Sequence, residues 1–265
     1  MKLRDVASQI SGEGGIRTEN RLLFASIDST NKVGKRIASL YQRNGEDLSP
    51  TLLMALEQTE GRGRLGNRWL SPLGGIYVSI VLPIRNQDSL STLPMRVATV
   101  LCRELDTLLA SRCRVKWPND LMVNGRKVGG ILIETVGSGE NLVAVVGFGI
   151  NYSAALPDLR EMATSVVQEA ADAPPLTEVA VQMIQVLETD LLSACCSPEV
   201  VEEYSIWSLH DVGEEIACRT VTGLYQGEFL GFDSRGFLRI LTGDGEHLIP
   251  AGEIIERASV GHHES

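Results

Sequence analysis

Histidine and cysteine are scarce in this 265-residue chain, four of one and five of the other, and neither is grouped for chemistry. No two cysteines form a CxxC pair, and an odd number of thiols argues against both a disulfide framework and a structural zinc site. The adjacent Cys195 and Cys196 close a helical pattern and read as buried or half-buried thiols, not a redox pair. His210 and His247 are isolated, and His262 and His263 lie in a polar tail, so neither a histidine metal cluster nor a Ser-His-Asp triad is expected. Many hydrolases are thereby excluded. No apolar run approaches the roughly 20 residues that span a bilayer, and the opening MKLRDVASQISGEGG has no signal-peptide core. A cytoplasmic protein, not a membrane one, is the expectation. The phosphate-binding pattern GxxxxGK[ST] is also missing.

What is present suits an ordinary folded protein, 43% apolar and 22% charged, long enough for one large domain or a large and a small one. A net charge of −10 argues against nucleic-acid binding by the whole surface. The charge is segregated, however. Residues 61–127 hold eleven Lys/Arg against four Asp/Glu, a local balance of +7 that leaves −17 elsewhere. Such a segment suits a phosphate site; on charge alone, basic residues spread over solvated faces remain the competing reading.

Elements alternate along the chain. RLLFASI (21–27) reads as a strand, and Asp28, Ser29 and Thr30 supply start chemistry for a helix reaching about Tyr41. TLLMALE (51–57) and GIYVSIVL (75–82) are buried strands, and 90–110 has the spacing of a helix packed on a sheet. Short strands follow at 113–116, 121–123, 128–135 and 142–148, with Asn124-Gly125 marking a hairpin. Helices are expected at 176–194 and 199–207, split by Pro198. From Val212 onward short apolar runs cut by glycines predict a small, bent all-β module, with a domain boundary near His210.

Two constellations carry chemistry. In EGRGRLGNRW, Gly61, Gly63 and Gly66 let backbone amides approach an anion, while Arg62, Arg64 and Arg68 offer forked donors for phosphate or carboxylate. A merely exposed loop is the alternative. Without a ligand it should be floppy, because ordering each residue costs about 1–2 kcal/mol. In RVKWPNDLMVNGRKVGG (114–130), Pro118 sets a corner bearing Lys116, Asn119 and Asp120, with Lys127 across the hairpin. A carboxylate and an amide there suit Mg²⁺ bound partly through water and phosphate, and the lysines suit an anion. Read structurally, the same residues are a turn and an edge-strand solubiliser.

Taken together, SIDSTN (26–31), EQTEGRGRLGNRW, RVKWPNDLMVNGRKVGGILIE and VVGFGIN (145–151) closely resemble the biotin protein ligase family, in order and spacing. The resemblance covers nearly the whole chain, including the ending PAGEI of the last module. It implies an α+β fold: a mixed α/β catalytic domain (1–209), class II synthetase-like and related to lipoate ligases, on a sheet with helices on one face. A small SH3-like β-barrel (210–258) and a polar tail (259–265) would follow. The implied activity is ATP-dependent: biotin is activated to biotinyl-5′-AMP with release of pyrophosphate, then passed to a lysine of a biotin carboxyl carrier domain of a carboxylase. Lys127, Arg64 and Arg62 would be catalytic. Biotin would contact Ser29, Thr30, Asn31, Gln58, Gly61, Arg62, Arg64, Lys127 and Gly130. ATP and the adenylate would contact Arg64, Trp69, Lys116, Asn119, Lys127 and Asn151, with Mg²⁺ at Asn119 and Asp120.

Departures and alternatives bear on that implication. Asn67 stands where the family often has a basic residue. About twenty residues precede the first strand, so a DNA-binding helix-turn-helix domain, and with it nucleic-acid binding, is not expected. A homodimer pairing along strand 128–135 is the oligomer that sheet edges allow. A lipoate or octanoate ligase should lack GRGR and KWPND, and a non-catalytic biotin sensor should have lost Lys127 or the Asn119-Asp120 corner; all are present.

Overall fold

The computed structural model describes residues 18, 20–156, 159, 161–192 and 199–255. The opening segment MKLRDVASQISGEGG, Cys195, Cys196, His262 and His263 lie outside the described residues. Strand β1 (Asn20–Ile27) is followed by helix α1 (Thr30–Asn44), which returns the chain so that β2 (Thr51–Gln58) lies parallel to β1. Then come β3 (Gly75–Pro83), helix α2 (Leu93–Asp106), and β4 (Arg114–Lys116), β5 (Asp120–Val123), β6 (Arg126–Val136) and β7 (Val143–Asn151). These seven strands form one sheet in the order β1-β2-β3-β7-β6-β5-β4, antiparallel except for the first pair. Helices α3 (Val166–Glu169), α4 (Leu176–Leu192) and α5 (Val200–Trp207) connect it to a second sheet.

Helices cover both faces of the large sheet, not one. On one face Val33, Ile37 and Ala38 of α1 pack on Leu53, Val81, Val143 and Val145. The opposite face, with Leu52, Met54, Ile76, Ile80 and Val146, shares a core with α2, and α4 packs on α2. Side chains alternate along a strand, so a strand buried on both faces reads as a near-continuous apolar run, as LLMAL and VAVVGFGI do.

The second sheet contains β8 (Glu215–Arg219), β9 (Leu224–Phe232), β10 (Leu238–Thr242), β11 (Gly245–Ile249) and β12 (Glu253–Ile255), ordered β11-β10-β9-β8-β12. Its end strands β11 and β12 are not paired with each other, so the expected closed barrel is an open ladder, bent where a bulge interrupts β9 and β10. This sheet shares its core with the first. Tyr204 of α5, fully buried, meets Phe232 edge-on at 5.2 Å, and Phe232 meets Phe229 in the same way.

Strand β6 was expected at an edge. It pairs with β7 along most of its length but with β5 only as far as Gly130, so among the described residues 131–136 have no strand on that side. No helix among the described residues is long and apolar enough to cross a membrane.

Candidate active site

A cleft of about 900 Å³, open mouth included, lies at the ends of β2, β6 and β7. Its size suits a small molecule or a cofactor. Of the residues the sequence singled out, Ser29, Thr30, Asn31, Gln58, Arg62, Arg64, Trp69, Lys116, Asn119, Asp120, Lys127 and Gly130 line it; Gly61 and Asn151 do not. The positive segment 61–127 is thereby divided. Arg62, Arg64, Arg68, Lys116 and Lys127 face the cleft, whereas Arg96 pairs with Asp190, Arg126 with Glu169, and Arg112 stacks on Trp207.

One end of the cleft is a network of uncharged polar groups at the start of α1. Ser29 is the N-cap, its hydroxyl oxygen accepting from Lys32 N. Thr30 donates through N and Oγ1 to Gln58 Oε1 at 2.8 and 3.1 Å, and Gln58 Nε2 donates to Ser71 Oγ at 2.9 Å. The hydroxyl of Ser79, buried on β3, lies 2.8 Å from Thr30 Oγ1 and 2.6 Å from Asn31 Oδ1, within hydrogen-bond distance of both. Both Asn31 amide hydrogens are engaged, by the Leu132 carbonyl and by Glu134. Asn31 therefore ties α1 to β6 instead of offering hydrogens to the cleft.

The other end is charged. Lys127 Nζ lies 2.7 Å from Asp120 Oδ1 and 5.1 Å from the centre of the Trp69 ring. A backbone irregularity aims it there. Between β5 and β6 the register moves from Leu121 opposite Gly129 to Met122 opposite Lys127, so Val128 is an extra residue on β6. In a regular strand Lys127 would share the face of Gly129, where a Cβ would meet Ile150 and Leu121 in the core. With the bulge it shares the face of Gly130, where a Cβ would lie 3.3 Å from Lys127 Cε and 3.2 Å from Trp69 Cζ3.

Loop 61–69 forms a hairpin closed by backbone hydrogen bonds. Trp69 N donates to Gly61 O, Gly63 N to Asn67 O and Asn67 N to Arg64 O, with Leu65 and Gly66 at φ +53° and +83°. Gly61 is obligatory for close approach, since a Cβ would lie 2.3 Å from the Trp69 carbonyl. From this loop Arg64 donates to Asn119 Oδ1 and to the Gly252 carbonyl of the second sheet, both at 3.1 Å. Burial lowers the Arg64 pKa from its ordinary value, and the charges of Asp120 and Glu253 act against that shift.

Asn151 sits behind the wall, 2% exposed, donating to the carbonyls of Thr164 and Lys127. Its Oδ1 and the Trp69 indole Nε1 are buried, with no hydrogen-bond partner among the described residues. Such orphaned groups beside a cleft suit a bound heterocycle with its own donors and acceptors. For a metal the donor set is thin. Among the described residues no three His, Cys, Asp or Glu side chains converge, and Asp120 is the carboxylate at the corner, with the Asn119 oxygen beside it. These residues fit Mg²⁺ held mainly by polyphosphate oxygens and water.

The chain matches the Biotin/lipoate A/B protein ligase family over residues 23–151. A biotin--[acetyl-CoA-carboxylase] ligase of Paracoccus denitrificans is 32% identical over 251 residues, covering 88% of this chain and 98% of that protein. The chain belongs to the biotin protein ligase family. It is therefore an enzyme, a ligase. The bifunctional ligase/repressor BirA of Bacillus spizizenii is 29% identical over 91% of this chain and 76% of its own length. Among solved structures, a biotin protein ligase from Aquifex aeolicus in complex with biotin and ATP is similar with a TM-score of 0.69. Its identity is 27%, covering 89% of this chain and 98% of that one.

Several residues of this ligase's cleft escaped the sequence reading. Gly147 and Gly149, two apart on β7, point the same way; a Cβ would lie 2.0 Å from Asn31 Oδ1 at the first and 2.6 Å from Trp69 Nε1 at the second. Their i, i+2 spacing in VVGFGIN was the available signal. Glu253, which lines the cleft from the second sheet, gave none, and neither did Ser79, buried behind it inside an apolar strand.

Proposed function

We propose that the chain is an ATP-dependent biotin protein ligase that makes biotinyl-5′-AMP and transfers the biotinyl group to a lysine of a biotin carboxyl carrier domain. One observation carries this reading: the cationic end, with Lys127, Arg64, Asp120 and Asn119, and the Thr30–Gln58–Ser71 network occupy one continuous cleft. A bicyclic ureido acid needs a few fixed polar contacts at the ring and positive charge at the carboxylate. Ser29, Thr30 and Gln58 are assigned to the ring, and Asn31 to holding α1 against β6.

In the first step a biotin carboxylate oxygen attacks the α-phosphorus of ATP, and the bond from that phosphorus to the bridging oxygen breaks to release pyrophosphate. Two anions meet, so the barrier is electrostatic. Lys127 is assigned to the carboxylate and α-phosphate, with Arg64 and the more exposed Arg62 beside it. Trp69 and the unpartnered Asn151 Oδ1 are assigned to adenine, and Lys116 to the polyphosphate. Mg²⁺ at Asp120 and Asn119 would supply charge neutralisation to the polyphosphate. In the second step the acceptor lysine nitrogen attacks the acyl carbon, AMP leaves, and the amine loses a proton.

Residues 1–209 form the catalytic domain in this reading, 210–258 a C-terminal SH3-like module left open as a ladder, and 259–265 a tail outside the described residues. A second copy would pair along β6 beyond Gly130. The enzyme is assigned to the cytoplasm, without nucleic acid as a partner. The test is pyrophosphate release from MgATP by purified protein, with biotin, lipoate or octanoate supplied in turn. Release is expected with biotin alone; release with lipoate or octanoate, or with no acid, would overturn the assignment.

A further inference from the structure

Glu169 touches neither end of the cleft, yet its carboxylate, 6% exposed, is the hub of a polar cluster behind it. It accepts from Arg126 at 2.5 Å, from Asn124 Nδ2 at 2.8 Å and from Thr164 Oγ1 at 2.6 Å. Asn124 is the first residue of the β5–β6 turn, with φ +49°, and Arg126 immediately precedes Lys127. Thr164 belongs to the segment 162–164, which brackets the Lys127 peptide: Lys127 N donates to Met162 O at 2.9 Å, and Thr164 N donates to Lys127 O at 3.0 Å. The Thr164 carbonyl in turn accepts from Asn151 Nδ2 at 3.1 Å. One carboxylate thus joins both sides of the bracket that holds the β6 bulge and, through Thr164, the side chain of Asn151.

We infer that Glu169 is a positioning residue for the adenylation step, fixing the bulged backbone that aims Lys127 and the amide orientation of Asn151. A bulge lacks the regular ladder that holds its neighbours, so the extra residue needs anchoring from outside the sheet. Glu169 supplies the anchor as an acceptor with charge-assisted bonds, which are short and directional. Arg126 and Asn124 reach it from the turn, and Thr164 from the opposite side. Its loss leaves α1, Gln58 and the biotin-ring network untouched, because none of its partners belongs to them.

This inference rests on the proposed ligase reading, and its test separates the two. Glu169→Ala and Glu169→Gln are compared with the wild type for biotin affinity, for kcat and ATP KM of biotin-dependent pyrophosphate release, and for hydrogen exchange at the Lys127 and Thr164 amides. A misplacement of a reacting group by about 1 Å can cost about a hundredfold. For Glu169→Ala we expect kcat to fall and ATP KM to rise by about tenfold each, with biotin affinity within about threefold. Exchange at the two amides should quicken at least about tenfold while β3 keeps its protection. Glu169→Gln, which keeps one acceptor oxygen for Thr164, should recover part of both losses. Wild-type kcat and KM together with unchanged exchange in Glu169→Ala, or equal loss of protection throughout the sheet, would overturn the positioning role. Wild-type protein that binds no biotin and releases no pyrophosphate, yet loses amide protection on Glu169→Ala, would sink the ligase reading and with it the catalytic part of the inference, leaving only the anchoring.

Discussion

Lys127 is the side chain on which the proposed chemistry concentrates, and its partners tell what a ligand must replace. It is held by one carboxylate, Asp120, and by the face of Trp69, both at the cleft. Lys127→Ala is therefore expected to slow pyrophosphate release by about a hundredfold or more, the scale found when a positioned charge at a developing oxyanion is lost. Steady-state rates at saturating biotin and ATP check this, and near-normal turnover would remove Lys127 from the mechanism. Arg64 has a second task besides its charge, since it links the loop to Asn119 and Gly252. Arg64→Ala should let biotinyl-5′-AMP escape into solution, where chromatography detects it; retention equal to wild type would mean that Arg64 and its loop do not hold the adenylate in the cleft. Most of these residues were legible because charge and glycine spacing are sequence properties. Glu169 was not. Its partners lie 5, 43 and 45 positions away in sequence, and no periodicity marks residues 152–174.

Elements decide where those side chains point. The β6 bulge turns Lys127 out of the core, while Gly147 and Gly149 on β7 make the floor on which Asn31 and Trp69 rest. Gly149→Ala should push the indole away from its seat and raise ATP KM by about tenfold, with biotin affinity unchanged in a direct binding measurement. An unchanged KM would mean that Trp69 does not need that floor. Gly125, with φ +74° at the hairpin turn, should cost about 1–2 kcal/mol of stability when replaced by alanine, measurable by denaturant unfolding. The turn itself was readable from Asn-Gly, and the strands from their β-branched runs. Their ends were not fixed by pattern: the helix expected from Leu90 begins at Leu93, after a 3₁₀ turn over Gln87–Leu90. The bulge left no sequence mark, because an extra residue in a strand looks like any other until the partner strand is known. Helices on both faces were implied by the unbroken apolar runs of β2 and β7, a signal that the family resemblance overrode.

Across the whole molecule, the two sheets share one core and meet at the cleft. Ile216, Phe229, Leu238 and Ile240 of the second sheet belong to the same buried cluster as Leu101, Val115 and Tyr204, and Trp117 Nε1 donates to the Gly236 carbonyl. Phe229→Ala should cost about 3–5 kcal/mol and lower a single melting transition; two separate transitions would contradict a common core. The small module also reaches the chemistry directly, through Gly252 at Arg64 and Glu253 on the cleft wall. The change from helix to short strands on either side of His210 was visible in composition, but the docking of the second sheet was not, because Tyr204, Phe229 and Phe232 meet only after folding. In the proposed ligase one cleft performs both half-reactions. Protein incubated with biotin and MgATP, freed of small molecules and then mixed with a biotin carboxyl carrier domain, tests it most directly. About one biotinyl-5′-AMP per active site should remain bound and then disappear as an equal amount of lysine-linked biotin appears on the carrier. Carrier left unlabelled while the bound adenylate persists, or no adenylate at all, would contradict the account.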